Sequence, residues 1–298
     1  MNYTEESVHI PVLLQASLQQ IQPKRGESYL DFTAGYGGHA GEFLRITENF
    51  ENSVLVDRDE NAIRALQRFK NEGVEILHKD FLSAARELVK EGRKFDIILA
   101  DLGVSSPQLD IAERGFSFRK DGPLDMRMNP TQEKTAADIT NFASKNELLQ
   151  ILIEFGEEKR GFAERIVSKI LEVRKKQRIE TTIQLADLIL SVHKGGWQKT
   201  HPATRTFQAI RIAVNNELQQ VEEVLKLLPK LLNSGGRVGI ITFHSLEDKI
   251  VKNYFKDDSK KGLESKFQTI TKKPLDGAKE DVNNPRARSA KLRVSIRK

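Results

Sequence analysis

Four short apolar runs punctuate the first hundred residues, at Ser28 to Thr33, Ser53 to Val56, Val74 to His78 and Phe95 to Ala100. Each is apolar nearly throughout rather than alternating, as a strand covered on both faces of a parallel sheet must be. Segments with helical spacing separate them: His39 to Leu44, Glu60 to Phe69, and Ser83 to Glu91, where Leu88 and Val89 supply part of an apolar face. This β-α-β rhythm predicts an α/β fold with a doubly wound sheet. After Asp101 the rhythm stops. Asn146 to Phe155, Phe162 to Lys175 and Thr181 to Val192 then carry helical apolar spacing, which reads as an inserted helical module. A long helix from Ala203 to Leu232, which Pro229 should kink or end early, leads into a further strand at Gly236 to Thr242. Two alternating runs, Phe267 to Lys272 and Lys291 to Arg297, suit a hairpin at the sheet edge. The expected organisation is residues 1–109 as the first part of a sheet domain, 110–202 as an inserted helical substrate-recognition domain, and 203–298 as the second part with a basic C-terminal hairpin.

Composition narrows the chemistry. The chain of 298 residues, 38% of them hydrophobic, is long enough for a large domain with an insertion. It has no cysteine, which excludes disulfides, thiolate metal sites and cysteine nucleophiles together. No basic start followed by an apolar run opens the chain, and nothing approaches ~18 uninterrupted apolar residues. A cytoplasmic enzyme without a membrane segment is expected. The formal charge of +6 permits a polyanionic partner. Its location is more informative: from Lys256 onward there are 13 Lys or Arg against 6 Asp or Glu, so the excess belongs to the tail. Such a tail also suits a solvated edge.

The first strand ends in Asp31-Phe-Thr-Ala-Gly35-Tyr-Gly37-Gly38-His39 and opens a helix. Glycines there permit a tight turn and let a ligand approach backbone amides. Asp57, at the end of the second strand, is placed to accept hydrogen bonds from ribose hydroxyls. The pair describes an adenosine site. Gly35-x-Gly37-x-x-Ala40 also fits a dinucleotide fingerprint, so a nicotinamide-dependent oxidoreductase is the first alternative. In a methyltransferase, Asp31 would lie near the methionine end of the cofactor and Asp80-Phe81 beside the adenine, although Phe81 alone fits core packing as well.

Strand four ends in Asp101-Leu-Gly103-Val-Ser105-Ser106-Pro107-Gln108. An acid, small polar residues and Pro resemble the Asp/Asn-Pro-Pro-aromatic loop of methyltransferases that act on exocyclic amines. Such an amine is a poor nucleophile because its lone pair is delocalised into the ring. Acceptors on its hydrogens, from Asp101 or from backbone carbonyls near Ser105 and Ser106, would draw the nitrogen toward tetrahedral geometry and align it for in-line transfer. Methylation at C5 of cytosine would need a cysteine nucleophile, which this chain lacks.

The landmarks run in order along nearly the whole chain: His9-Ile-Pro-Val-Leu-Leu, Asp31 to His39, Asp101 to Asp110, Glu113-Arg-Gly-Phe116-Ser-Phe118 and Asp121-Gly-Pro-Leu-Asp125-Met-Arg127-Met. Phe155-Gly-Glu-Glu, His201-Pro-Ala-Thr-Arg205-Thr-Phe-Gln-Ala, Phe243-His244-Ser-Leu-Glu247-Asp248 and Asn284-Pro-Arg286-Ala-Arg288-Ser follow. This set resembles the RsmH (MraW) family of bacterial 16S rRNA cytosine N4-methyltransferases. The resemblance implies a class I S-adenosylmethionine-dependent methyltransferase fold, Rossmann-like, with a helical insertion. It implies action on N4 of a decoding-centre cytosine in 16S rRNA of the small ribosomal subunit or its precursor. It places cofactor-binding positions on Gly37, Gly38, His39, Asp57, Phe81, Asp101 and Gln108. Giving Asp101 to the cofactor leaves Ser105, Ser106 and Pro107 as the candidates that position the amine. Departures are Tyr36, where Arg is common in the family, and a short spacer between Asp248 and Asn284.

Phe116 and Phe118 stand among Arg114, Arg119 and Lys120, a mixture suited to stacking a splayed base and holding phosphate, or to packing the insert. Arg127, His201, Arg205, His244, Arg286 and Arg288 complete the substrate-binding candidates. Spacing among the histidines gives no metal site. Ser245-Leu-Glu247-Asp248 also reads as a helix N-terminal cap, and Arg174-Lys175-Lys176-Gln-Arg178 as a phosphate-binding edge or a solvated helix end. A noncatalytic rRNA-binding assembly factor is the second alternative, and the oligomeric state is open.

Overall fold

The computed structural model describes residues 11–195 and 200–298. His9 and Ile10 of the first landmark lie outside the described residues. The chain divides into two compact units, a sheet unit of Met1–Gly103 with Leu218–Lys298 and a helical unit of Val104–Glu217.

In the sheet unit, the elements before the insertion are α1 (Leu14–Ile21), β1 (Tyr29–Asp31), α2 (Gly38–Thr47), β2 (Val54–Asp57), α3 (Glu60–Lys70), β3 (Glu75–His78), α4 (Phe81–Lys90) and β4 (Phe95–Asp101). The helical unit follows with α5 (Ser106–Asp110), α6 (Ala136–Phe142), α7 (Lys145–Glu154), α8 (Arg160–Val173), α9 (Thr182–Ser191) and α10 (Thr204–Asn215). The sheet unit resumes with α11 (Glu217–Leu231), β5 (Leu232–Thr242), α12 (Ser245–Ser259), β6 (Phe267–Thr269), β7 (Leu275–Asp276), α13 (Gly277–Glu280) and β8 (Lys291–Arg297).

The strand order is β3-β2-β1-β4-β5-β8-β6, with β7 also paired to β8. β1 to β5 are parallel, and β8 runs antiparallel to β5, β6 and β7. The order reverses between β1 and β4. Connections on the two sides of such a switch point diverge, so the carboxyl ends of those strands border an open crevice. The two edge runs predicted as a hairpin pair as β6 and β8, with β7 and α13 between them in sequence.

Alternation along the strands fills two cores. Leu30, Val54, Val56, Ile98 and Val238 pack with residues of α4, α11 and α12 such as Leu88, Leu225 and Val251. Tyr29, Leu55, Ile97, Leu99 and Ile241 pack on the other face with α1, α2 and α3, including Ile21, Phe43 and Leu66. A sheet covered by helices on both faces accounts for strands that read as continuously apolar.

The helical unit has its own core, in which Ile139, Leu148, Leu152, Ile166, Ile170, Leu185, Ile189, Phe207 and Ile210 are buried. Three of its helices open with reciprocal capping boxes, Thr135 with Asp138, Ser144 with Glu147 and Thr181 with Gln184.

The helix predicted from Ala203 to Leu232 is two helices. It breaks at Asn216, whose left-handed backbone (φ 52°) ends α10 while its N–H bonds Ile212 O. Asn tolerates that conformation better than most residues, so it ends a helix as Gly would. Pro229 lies inside α11. Because α10 packs with α6 and α7, the compact units part at 103/104 and 217/218 rather than at the 109/110 and 202/203 borders read from the pattern.

Candidate active site

The acidic residues of the sheet unit gather at strand ends. Asp31 closes β1, Asp57 closes β2 and Asp101 closes β4. The loop between β1 and α2 is tied to both neighbouring strands: Phe32 N donates to Leu99 O, Ala34 N to Val56 O, and Asp101 N to Thr33 Oγ1 at 2.6 Å.

Asp31 is 1% exposed. Its carboxylate accepts a hydrogen bond from Tyr29 Oη at 2.7 Å and from Thr33 N at 3.1 Å. Burial outweighs both bonds and, with Asp57 nearby, pushes the carboxyl up to about 7. Asp101 is raised well above the usual carboxylate range by burial, with Asp31 and Glu247 adding like-charge repulsion. Its Oδ1 is sealed from solvent and has no hydrogen-bond partner among the described residues. Asp57 is also raised, first by burial, although its oxygens accept from Gly35 N at 2.8 Å and Asp59 N at 2.8 Å. The three raised carboxyls have a common consequence: a cation beside them would favour their ionised forms.

The glycines divide their work. Gly35 takes a left-handed backbone (φ 54°), and no side-chain atom stands within 4 Å of where its Cβ would be, which leaves room for a ligand. A Cβ on Gly37 would strike the Phe69 ring, and one on Gly38 the Pro11 ring. Their smallness is therefore used by the protein's own packing. His39 is 6% exposed, with Nε2 3.0 Å from Val12 O and Nδ1 3.8 Å from Asp101 Oδ2. α2 begins with no side-chain cap, so its first amides suit a carboxylate group. Phe81 is buried in the core, 6.4 Å from the Phe32 ring centroid, and Asp80 caps α4 by accepting from Leu82 N and Ser83 N. The core-packing reading thus accounts for Phe81's position.

S-adenosylmethionine fits these residues. Its sulfonium and ammonium match the acidic strand ends with the orphaned Asp101 oxygen, its ribose matches Asp57, and its carboxylate matches the α2 amides.

In the helical unit, Gln108 is buried and its Oε1 accepts from Ser105 N at 3.0 Å. Ser106 and Pro107 begin α5, and their side chains lie outside what is described. Phe116 belongs to the helical core, with the Arg114 guanidinium 5.9 Å from its ring. Phe118 is held between His201 and Phe207, both at 4.7 Å between centroids. Packing, rather than a free stacking surface, explains this pair. Arg127 grips Asp125 through Nε and Nη2 at 2.9 and 2.7 Å and donates to Gln132 O, which fastens its own loop. Arg205 donates to Glu157 O at 3.2 Å.

Back in the sheet unit, His244 rather than Ser245 is the N-cap of α12; it accepts from Glu247 N while Glu247 Oε2 accepts from Phe243 N. Asp248 is paired with Arg293 at 2.7 Å, which lowers its pKa despite burial. Arg286 and Arg288 are exposed on the turn Pro285–Ser289.

Sequence reading missed Tyr29 and Thr33: both donate to the Asp31 carboxylate, and the Thr33 hydroxyl accepts from the backbone N–H of Asp101. The signal for Tyr29 was available: residues i and i+2 of a strand share a face, which puts Tyr29 beside Asp31.

The model of the MraW methylase family matches residues 6–298. The Ribosomal RNA small subunit methyltransferase H of Acidobacterium capsulatum is 43% identical over 99% of this chain and 100% of its own. The same-named protein of Cyanothece sp. is 45% identical over 98% and 95%, and that of Citrifermentans bemidjiense 44% over 97% and 98%. With the switch-point sheet, the acidic strand ends and this full-length match, the chain belongs to the MraW methylase family and is a class I, S-adenosylmethionine-dependent methyltransferase.

Proposed function

We propose that this enzyme methylates N4 of a decoding-centre cytosine in the 16S rRNA of the small ribosomal subunit or its precursor, in the cytoplasm. The observation that carries the reading is near-full-length similarity to proteins named for small-subunit rRNA methylation. No described helix is long and apolar enough to cross a membrane, which accords with it.

Bound S-adenosylmethionine supplies an electrophilic methyl group on a cationic sulfur. The chain's own residues hold and orient. Asp57 engages the ribose, while Asp31 and Asp101 balance the positive charge. Gly37, Gly38 and His39 contribute backbone at the start of α2, and Phe81 and Gln108 are kept as cofactor positions from the family pattern. The stretch from Ser105 to Pro107 is our candidate for accepting the amine's hydrogens, so that the nitrogen lone pair points at the methyl carbon. The substrate-binding candidates His201, Arg205, His244, Arg286 and Arg288 stay in the reading. Phe116, Phe118 and Arg127 support it as packing and loop-fastening residues. Absence of cysteine removes methylation at C5 of cytosine, which would need a cysteine nucleophile.

The test is methyl transfer from tritium-labelled S-adenosylmethionine to 30S particles, their precursors and naked 16S rRNA. Label on a single cytidine as N4-methylcytidine supports the reading. Label remaining on the cofactor with all three substrates would favour a noncatalytic assembly role.

A further inference from the structure

The helical unit contains a groove on which two of the substrate-binding candidates, His201 and Arg205, converge with residues given no role above. Its volume is about 610 Å³, and it is walled by the turn before α8, the start of α8, the chain after α9 and the start of α10. Lys159, Arg165, Lys194 and Arg205 line it, and Glu158 is the one acid among the described residues that do. Burial raises the Glu158 carboxyl above its usual range, so this acid offsets less of the positive charge than an exposed one would.

The groove is built rather than incidental. Gly156 has no room for a side chain, because a Cβ there would lie 2.6 Å from Leu152 O and 3.0 Å from Arg205 O. The next residue, Glu157, adopts a left-handed backbone (φ 49°), and its carbonyl accepts from Arg205 Nη1. The tight turn thus seats Arg205 on one wall. On another, Arg165 donates to Val192 O and Gly161 O and lies 5.3 Å from the Phe162 ring, which meets His193 edge-on at 5.4 Å. His193 Nε2 is sealed from solvent without a hydrogen-bond partner among the described residues. Lys159 and Lys194 are exposed at the rim.

Permanent cations at the rim, ring edges inside and a volume suited to one nucleotide match a single-stranded polynucleotide better than a peptide or a flat membrane surface. We propose that this groove is an RNA subsite, built from residues other than those assigned to methyl transfer, which holds an unpaired nucleotide of the rRNA substrate with its flanking phosphates on Lys159 and Lys194. The inference rests on the rRNA reading above. It assigns Lys159, Phe162, Arg165, His193 and Lys194 a role in holding RNA.

The test is fluorescence anisotropy of the full-length protein with a labelled single-stranded 16S fragment across a salt series. It compares wild type with the Lys159→Gln/Lys194→Gln variant, whose exposed positions leave the core untouched. Each neutralised phosphate on a single strand contributes about 0.7 to the slope of log affinity against log salt, so the slope should flatten by about 1.4. Melting temperature and S-adenosylmethionine affinity should be unchanged. An unchanged slope in a variant that folds and binds cofactor overturns the groove, whether or not wild type methylates rRNA. A wild type that binds no RNA overturns it too. Failure of methyl transfer with a flattened slope removes the proposed reaction and leaves the groove standing.

Discussion

The two compact units gather opposite charge. In the sheet unit, Asp31, Asp57 and Asp101 end adjacent strands, and all three carboxyls are raised, first by burial. In the helical unit, Lys159, Arg165, Lys194 and Arg205 line one groove, with Glu158, its carboxyl raised by burial, as the single acid among the described lining residues. Buried acids are destabilising until a cation arrives, whereas exposed bases cost little until they lose mobility to a polyanion. The contrast teaches how one chain separates its ligands: the sheet suits a small cationic cofactor, and the helices suit a long anionic substrate.

The largest expected effect concerns Asp31. Its carboxyl is protonated in both states below about pH 4; above that the unfolded chain ionises first, so folding weakens as pH rises toward 7 and no further beyond it. A shift from 3.8 to about 7 corresponds to roughly 4 kcal/mol. Asp31→Asn should remove that slope, gaining stability at pH 8 relative to wild type in urea titrations while losing cofactor affinity. Wild-type affinity for S-adenosylmethionine should tighten as pH rises through about 7, and calorimetry showing no pH dependence would break the charge comparison.

Asp57→Ala should weaken cofactor binding by about 100-fold, since it removes a ribose acceptor and frees the Gly35 and Asp59 amides. Unchanged calorimetric affinity would take Asp57 out of the site. Gly37→Ala should destabilise the sheet unit by about 1–3 kcal/mol, because φ is +82° and its Cβ would meet Phe69. A wild-type melting temperature would contradict that packing role. The smallest effect is Arg286→Ala with Arg288→Ala: RNA affinity should fall and its salt slope flatten by about 1.4, with cofactor affinity kept. An identical slope would return the tail to a solvated edge.

Much of this was legible from local pattern. The buried strands announced themselves as apolar runs, and Asp57 stands at the end of the second strand, where the pattern put it. What failed depended on tertiary context. Asn216 rather than Pro229 divides the long helix, because a left-handed Asn beside a change of packing partner outweighs a proline that α11 tolerates. Phe116 packs in the helical core, one of the two readings its basic neighbours left open, since aromatic-basic mixtures look alike whether the ring points inward or outward. The cap of α12 shifted to His244, a residue type that rarely signals a cap. The groove was hidden because its walls come from segments far apart in sequence, joined by the Gly156 turn.

The central claim is amine methylation of small-subunit rRNA, and nucleoside mass spectrometry of 16S rRNA from cells with and without this gene tests it most directly. The account predicts that a single N4-methylcytidine mapping to the decoding centre disappears without the gene and returns when it is restored. An unchanged N4-methylcytidine content, or loss of a methyl group from a different atom or base, would contradict it.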